Sequence, residues 1–272
     1  MKQIASKNLS DLAKNIRKQI ITSLHKTGGG HYGGALSVLD PLLVLYHQIA
    51  RVYPDQPENP LRDRIILSKG HACIAQYCIL ADLGFFDKSE LEKYGTFHSF
   101  LEGHPDMTKT PGIDFSTGSL GQGLSVGLGM SFSLQKDAGK VWVIMGDGEC
   151  QEGQVWEAVM LADRYKANKL VTIVDYNGHQ EYGWSFHDNS FAKNPVPNIT
   201  QRFASFGWNV IETDGHDYET LQESFERAQA YAYGPTAVIC NTVKGKGYKL
   251  IESDPVRFHC GELSEEEFSQ LT

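Results

Sequence analysis

The sequence predicts an α/β protein built on a doubly wound, mainly parallel sheet flanked by helices. Val141 to Met145 is an apolar run of strand length, Gln151 to Tyr165 sets Val155, Val159 and Ala162 at helical spacing, and Leu170 to Val174 is β-rich again. A strand, helix, strand unit lies right-handed in a parallel sheet. Asp147 and Asn177, which follow its two strands, therefore emerge together at the carboxyl edge, where ligands bind. Three more strand-length runs, Arg64 to Leu67, Trp208 to Glu212 and Thr236 to Val243, supply the rest of the sheet.

The elements follow in order. Over residues 7 to 26, Leu9, Leu12, Ile16, Ile20 and Leu24 fall on one helical face, which Gly28-Gly29-Gly30 ends just before His31. Ser37 and Asp40-Pro41 are start signals for a second helix through LLVLYHQIARVY, with His47 as a structural residue inside it. A link containing Pro54, Pro57 and Pro60 leads to the Arg64 strand, then to the turn Ser68-Lys69-Gly70-His71 and a buried helix from Ala72 to Leu83. Residues 85 to 117 are irregular apart from a helix at Ser89 to Tyr94, and they present His104 on a loop before Pro105. TGSLGQG opens a small-residue helix whose glycines permit close approach to a flat ligand and whose first amides are free donors. Gln180 to Asn198 reads as a long loop, Tyr218 to Tyr231 as a helix, VKGKGY as a basic turn that lacks Walker A spacing, and Ser264 to Gln270 as an acidic, solvated helix.

Composition narrows the class. The 272 residues suffice for one large α/β domain over 1–272, and 41% are apolar. A net charge of -8 argues against nucleic acid, whose phosphates recruit basic surfaces. No apolar run reaches membrane-spanning length and the N-terminus has no signal-peptide core, so the expectation is a soluble, cytoplasmic protein. Cys73, Cys78, Cys150, Cys240 and Cys260 show no paired spacing, which indicates buried thiols rather than disulfides or zinc.

The chemistry is carried by GDG, the 28 residues Glu149 to Tyr176, and then Asn177. Gly146 and Gly148 let the backbone approach an anion, while the Asp147 carboxylate and Asn177 amide oxygen suit magnesium bridging a diphosphate. The plainer alternative is a tight strand-to-helix turn with Asp147 as a cap. Gly-His steps at His31, His71 and His104, with His259 near the end, add imidazoles that exchange protons near neutral pH.

GGGHYGGALS, DRIILSKGHA, EGHPD, TGSLGQGLS, GDGECQEGQVWEA and DYNG together resemble, in order and approximate spacing, the N-terminal, diphosphate-binding part of transketolases over residues 10 to 260. The resemblance implies the thiamine diphosphate-binding fold. It implies Asp147, Asn177 and the His179 carbonyl as magnesium ligands, with Gly148 against the diphosphate and Gly118 and Leu120 against the aminopyrimidine. It further implies His71 and His259 at the diphosphate and donor-sugar end, His31 and His104 on substrate hydroxyls, and Glu152 and Glu157 in a carboxylate network at a subunit interface. The implied reaction moves a two-carbon ketol unit from a ketose to an aldose, both sugars or sugar phosphates of the pentose phosphate type.

In that family a second α/β domain holds the pyrimidine ring, and no room for it follows Thr272. The implied protein is the N-terminal subunit of a split enzyme, dimeric within a heterotetramer completed by a C-terminal partner; a shortened chain reads the same. Tyr32 replaces the family's usual proline, Gly95 to Phe100 lacks the usual phenylalanine, arginine, glutamine pattern, and Cys260 replaces glycine, so a sulfonated or branched ketose stays open. Also open are another thiamine diphosphate reaction, such as deoxyxylulose phosphate synthesis or 2-oxo acid decarboxylation, and a non-catalytic magnesium-diphosphate binding subunit.

Overall fold

The computed structural model of the chain describes residues 6–181 and 196–272. Strands β1 (Arg64–Leu67), β2 (Val141–Gly146), β3 (Leu170–Tyr176), β4 (Asn209–Asp214) and β5 (Thr236–Asn241) form one parallel sheet in the order β1-β2-β3-β5-β4. The step from β3 to β4 skips a place that β5 then fills, so the chain reverses direction. With right-handed crossovers, the reversal moves the connecting helix to the other face. Thus α4 (Gln122–Ser133), α5 (Gly153–Arg164) and α6 (Ile199–Ser205) cover one face, while α1 (Ser6–Lys26), α2 (Tyr32–Val44), α3 (Cys73–Leu83) and α7 (Tyr218–Ala230) cover the other.

Strand alternation divides the core between these layers. β2 sends Trp142 and Ile144 toward the α2 side and Val141, Val143 and Met145 toward α4 and α5. β3 does the same with Val171 and Ile173 against Leu170 and Val174. Burial on both faces explains why these strands read as continuous apolar runs rather than alternating ones.

Several expectations are corrected. α2 begins at Tyr32, not at Ser37, because the positive-φ turn through Gly28 to Gly30 is pinned by an antiparallel bridge to Gly261 and feeds the helix directly. Asp40-Pro41 sits inside this wholly buried helix, where packing overrides a local start signal. The expected helix at 89–94 is a 3-10 segment, Lys88–Lys93, capped by Asp87. α6 was not anticipated; it buries Ile199 and Phe203. After the short helix α8 (Lys249–Ser253), the acidic terminal helix α9 (Glu265–Leu271) is more than a solvated face, since Phe268 stacks on His25 at 4.0 Å and a Ser264–Glu267 capping box starts it. Most of the expected 180–198 loop, residues 182–195, lies outside the described residues. All five cysteines are free, and all but Cys260 are buried. No helix among the described residues is long and apolar enough to cross a membrane.

Candidate active site

The carboxyl ends of β1, β2, β3 and β5 open into a cavity of about 660 Å³ that also takes in the start of α2. β1 delivers Lys69 and His71, β2 delivers Gly146 to Gly148, and β3 delivers Asn177 and His179. The β5 exit contributes Lys244, and the segment before α9 contributes His259. His31, Gly34, His104, Gly118, Leu120, Glu149 and Glu152 complete the part of the wall that concerns the chemistry. Of the residues given catalytic, cofactor or metal roles from sequence, only Glu157 is outside the lining, on the exposed face of α5.

Asp147 is 1% exposed and accepts hydrogen bonds from the amides of Gly148 (2.8 Å) and Gly178 (2.6 Å). Burial, reinforced by the Asp175 charge, raises its carboxyl to about 7, against the pull of those amides. Asn177 is oriented from behind: its Nδ2 donates to Asp175 Oδ2 at 3.2 Å and Ser37 Oγ at 3.3 Å, and its Oδ1 accepts from the His179 amide at 3.0 Å. Asp175 is the hub below the cavity floor, holding the buried Lys69 ammonium, Ser37 Oγ (2.6 Å) and Thr242 Oγ1. Burial works against its ionisation, but the Lys69 charge and these bonds outweigh it and hold Asp175 below the usual carboxylate range.

The glycines of the TGSLGQG segment divide their work differently from expectation. Gly123 and Gly127 face the sheet, where a Cβ would collide with Ser68 and Val143, so they let α4 lie close to β1 and β2. The first amides are not free: Gly121 N donates to Glu149 Oε1 (2.8 Å) and Gly123 N to Ser68 Oγ (3.2 Å). Gly118 is the glycine that opens room in the cavity, since a Cβ there would stand 3.3 Å from His104 Cδ2.

Three imidazoles gather around that of His31, whose ring centroid lies 5.0 Å from His71, 5.7 Å from His259 and 6.5 Å from His104. Burial lowers His31 to about 4, helped by His104, Lys69 and Lys244, and lowers His259 to about 3, helped chiefly by Lys244. His71 falls well below its ordinary value for the same reason. At neutral pH these three are neutral, each with one donor and one acceptor nitrogen. Cys150, beside the GDG turn, is not an activated nucleophile, because burial and the neighbouring carboxyls hold its thiol well above the ordinary range.

Lys69, Lys244, Glu149 and Asp175 were not assigned roles from sequence. The signal for Lys69 was a lysine in the turn that follows a buried strand. For Lys244 it was a basic turn at the carboxyl end of a strand, a location that matters only once the sheet order is known. Lys244 is 3% exposed and donates to His259 Nδ1 at 2.7 Å, and burial with the nearby Lys69 charge lowers it to about 8. Lys69 is neutralised by Asp175, whereas this bond from Lys244 goes to a neutral imidazole.

The imidazole cluster gives a pH dependence with a definite sign. Folded His31, His71 and His259 sit below the ordinary 6.5, so on acidification the unfolded chain takes up protons first. Stability is therefore full above pH 6.5 and falls as pH drops toward about 3. Asp147, raised to about 7, acts in the opposite direction below neutrality, but it is one carboxyl against three imidazoles. His259→Asn removes one of the three. Its urea-unfolding free energy, measured across pH 4 to 7, is expected to fall less steeply with acidification than that of the native chain; identical slopes would show that His259 is not held neutral.

A parallel sheet whose carboxyl edge brings a buried aspartate, an oriented asparagine, cations and imidazoles into one cavity defines a cofactor-dependent α/β enzyme domain with an anion-binding edge. The transketolase, thiamine diphosphate binding domain family matches residues 9–272. The chain is 37% identical over 261 residues to the 6-deoxy-6-sulfo-D-fructose transketolase subunit SqwG of Clostridium sp. (strain MSTE9), covering 95% of this chain and 93% of that one. It is also 37% identical over 256 residues to an apulose-4-phosphate transketolase subunit of Phocaeicola vulgatus, covering 93% and 89% respectively. The crystal structure of transketolase from Campylobacter jejuni superposes with a TM-score of 0.87 at 28% identity over 98% of this chain, which spans 42% of that longer one. The chain belongs to the transketolase family, thiamine diphosphate-dependent transferases, and carries the family's thiamine diphosphate-binding domain.

Proposed function

We propose that residues 1–272 form the diphosphate-binding subunit of a two-chain transketolase that moves a two-carbon ketol unit from a ketose to an aldose with thiamine diphosphate and magnesium. The observation that carries this reading is the convergence of Asp147, Asn177, Lys244, His31, His71, His104 and His259 on one cavity. The residues fit the cofactor. Gly118 and Gly34 are cradles that a Cβ would fill against His104 and His71, and Asp147 is a buried carboxyl that a divalent cation would keep ionised. Among the described residues no three His, Cys, Asp or Glu side chains cluster for a metal, so the cation would be held by Asp147, Asn177 Oδ1, the His179 carbonyl and the diphosphate's own oxygens. That sparse set of hard oxygens is typical of magnesium.

The bound cofactor supplies the carbon nucleophile for cleaving and rejoining the sugar chain. The protein's part is to place and protonate. Gly148 approaches the diphosphate through its backbone, Gly118 and Leu120 meet the pyrimidine, and Lys244 gives the diphosphate a buried positive charge with little competition from water. His71 and His259 line the diphosphate and donor end, while His31, held neutral by burial, and His104 accept and return protons at sugar hydroxyls. Glu152, in the cavity wall, and Glu157, on the exposed side of α5, belong to the carboxylate network between paired subunits.

Self-association finds support on the same helix. Met160, Leu161 and Tyr165 are exposed beside Glu157, and Tyr165 meets the half-exposed Phe132 of α4 edge-on at 5.5 Å. A partner subunit is supported by the names of the two relatives, each a transketolase subunit; in this reading that partner is the C-terminal, pyrimidine-binding half and the assembly a heterotetramer.

The donor is a ketose or ketose phosphate, with a sulfonated or branched ketose as the alternative. The departure at Gly95 to Phe100 lies in a cleft beside Glu102 and Gly103, next to the His104 loop, whereas Tyr32 is wholly buried against Phe258 and does not touch the cavity.

The test is to purify the chain alone and with whatever subunit co-purifies, measure both masses, and assay ketol transfer from ordinary, sulfonated and branched ketoses. Turnover only in the complex is expected. Robust turnover by a monomer of this chain refutes the two-chain reading, and turnover of pyruvate in place of a ketose refutes ketol transfer.

A further inference from the structure

Outside the cavity, α2 carries a second buried carboxylate, Asp40, that accepts from three elements at once. Its Oδ2 accepts from Arg17 of α1 at 2.6 Å and from His216 Nδ1, in the turn before α7, at 2.8 Å; its Oδ1 accepts from the Tyr218 hydroxyl at 2.7 Å. Asp40 is 2% exposed, and its three donors fill most of the acceptor sites of a buried carboxylate. Two of these donors have a second hand. Arg17 Nε donates to the Lys246 carbonyl at 3.1 Å, and His216 Nε2 accepts from the Val243 amide at 2.8 Å. Because Nε2 accepts, the ring proton is on Nδ1 and points at Asp40.

The two grips fall on either side of Lys244. Between them, Gly245 N donates to the Gly33 carbonyl at 3.1 Å, so the backbone that carries Lys244 is held at residues 243, 245 and 246. A loop rich in glycine has large freedom to lose, and a buried lysine needs its carrier fixed if the ammonium is to stay at one place in the wall. We propose that Asp40, through Arg17 and His216, is the positioning residue for Lys244, setting the buried ammonium that meets the cofactor diphosphate. This rests on the reading of Lys244 as a diphosphate-facing cation.

The test is a double-mutant cycle on the full chain with its partner subunit, with thiamine diphosphate and magnesium titrated by calorimetry and thermal unfolding followed in parallel. Lys244→Ala is expected to weaken binding by about 10- to 100-fold, the scale of a charge-assisted bond. Asp40→Asn, and His216→Phe, which cuts the link while sparing the carboxylate, are expected to weaken binding by about 3- to 10-fold in the native background and to add almost nothing on top of Lys244→Ala. Their losses of thermal stability should be the same in both backgrounds. His216→Phe keeps the proposal testable if Asp40→Asn does not fold. Equal losses of affinity with and without Lys244, or no loss, overturn the positioning role while leaving Lys244 in place. An unchanged affinity in Lys244→Ala instead removes the reading of Lys244, and the proposal with it.

Discussion

Asp147→Ala is expected to abolish magnesium-dependent binding of thiamine diphosphate in the assembled enzyme, and with it turnover. The carboxyl is the acidic member of the proposed donor set, and the neighbouring Asp175 is engaged with Lys69, Ser37, Thr242 and Asn177. Asp175 is therefore not free to replace it, and magnesium held by one carboxylate and neutral oxygens loses the protein charge that favours it. The fold should survive. Removing Asp147 leaves two amides, of Gly148 and Gly178, without their acceptor, but it also removes a buried carboxyl held near Asp175. Asp147→Asn keeps an acceptor oxygen for one amide and separates the two effects: it should lose cofactor binding as well, with a smaller change in melting temperature. Calorimetry with and without magnesium measures the first effect and thermal unfolding the second. Native affinity in either variant sinks the diphosphate assignment.

The second large effect is on turnover rather than on cofactor binding. His31→Ala and His104→Ala are each expected to slow ketol transfer by about 10²- to 10⁴-fold, the usual range for removing a positioned acid or base, with cofactor affinity changed only a few-fold. The separation follows from geometry. Asp147, Asn177 and Lys244 rise from the ends of β2, β3 and β5, whereas His31 enters from the start of α2 and His104 from the loop that faces Gly118. Holding His31 neutral, at about 4, lets it donate to one hydroxyl and accept from another without repelling Lys69 or Lys244. The decisive comparison is single-turnover rate against calorimetric affinity for each variant. If both variants keep native turnover, the two histidines only fill space.

Much of this was legible in the order of the residues. The strand, helix, strand rhythm around GDG placed Asp147 and Asn177 at one sheet edge, because a parallel sheet puts every strand exit on one side, and the motifs pointed His31, His71, His104 and His259 toward the same cavity. Local chemistry also marked the turn at Gly28 to Gly30, whose positive φ angles only glycine adopts easily. Other features depended on what lies across the fold. α2 starts at Tyr32 because the Gly30–Gly261 bridge, which joins opposite ends of the chain, fixes its entry. Gly123 and Gly127 serve β1 and β2 rather than a ligand because α4 packs there. Sequence by itself determined which side-chain types stand at the strand exits and in the motif loops, and the roles proposed for them on a diphosphate and on protons rest on that. Only the tertiary structure decided their charge states and which basic residue faces the cavity. Burial and the order β1-β2-β3-β5-β4 bring Lys244 beside His259 and pair Lys69 with Asp175, and desolvation and Coulomb forces depend on distances through space that chain order does not contain.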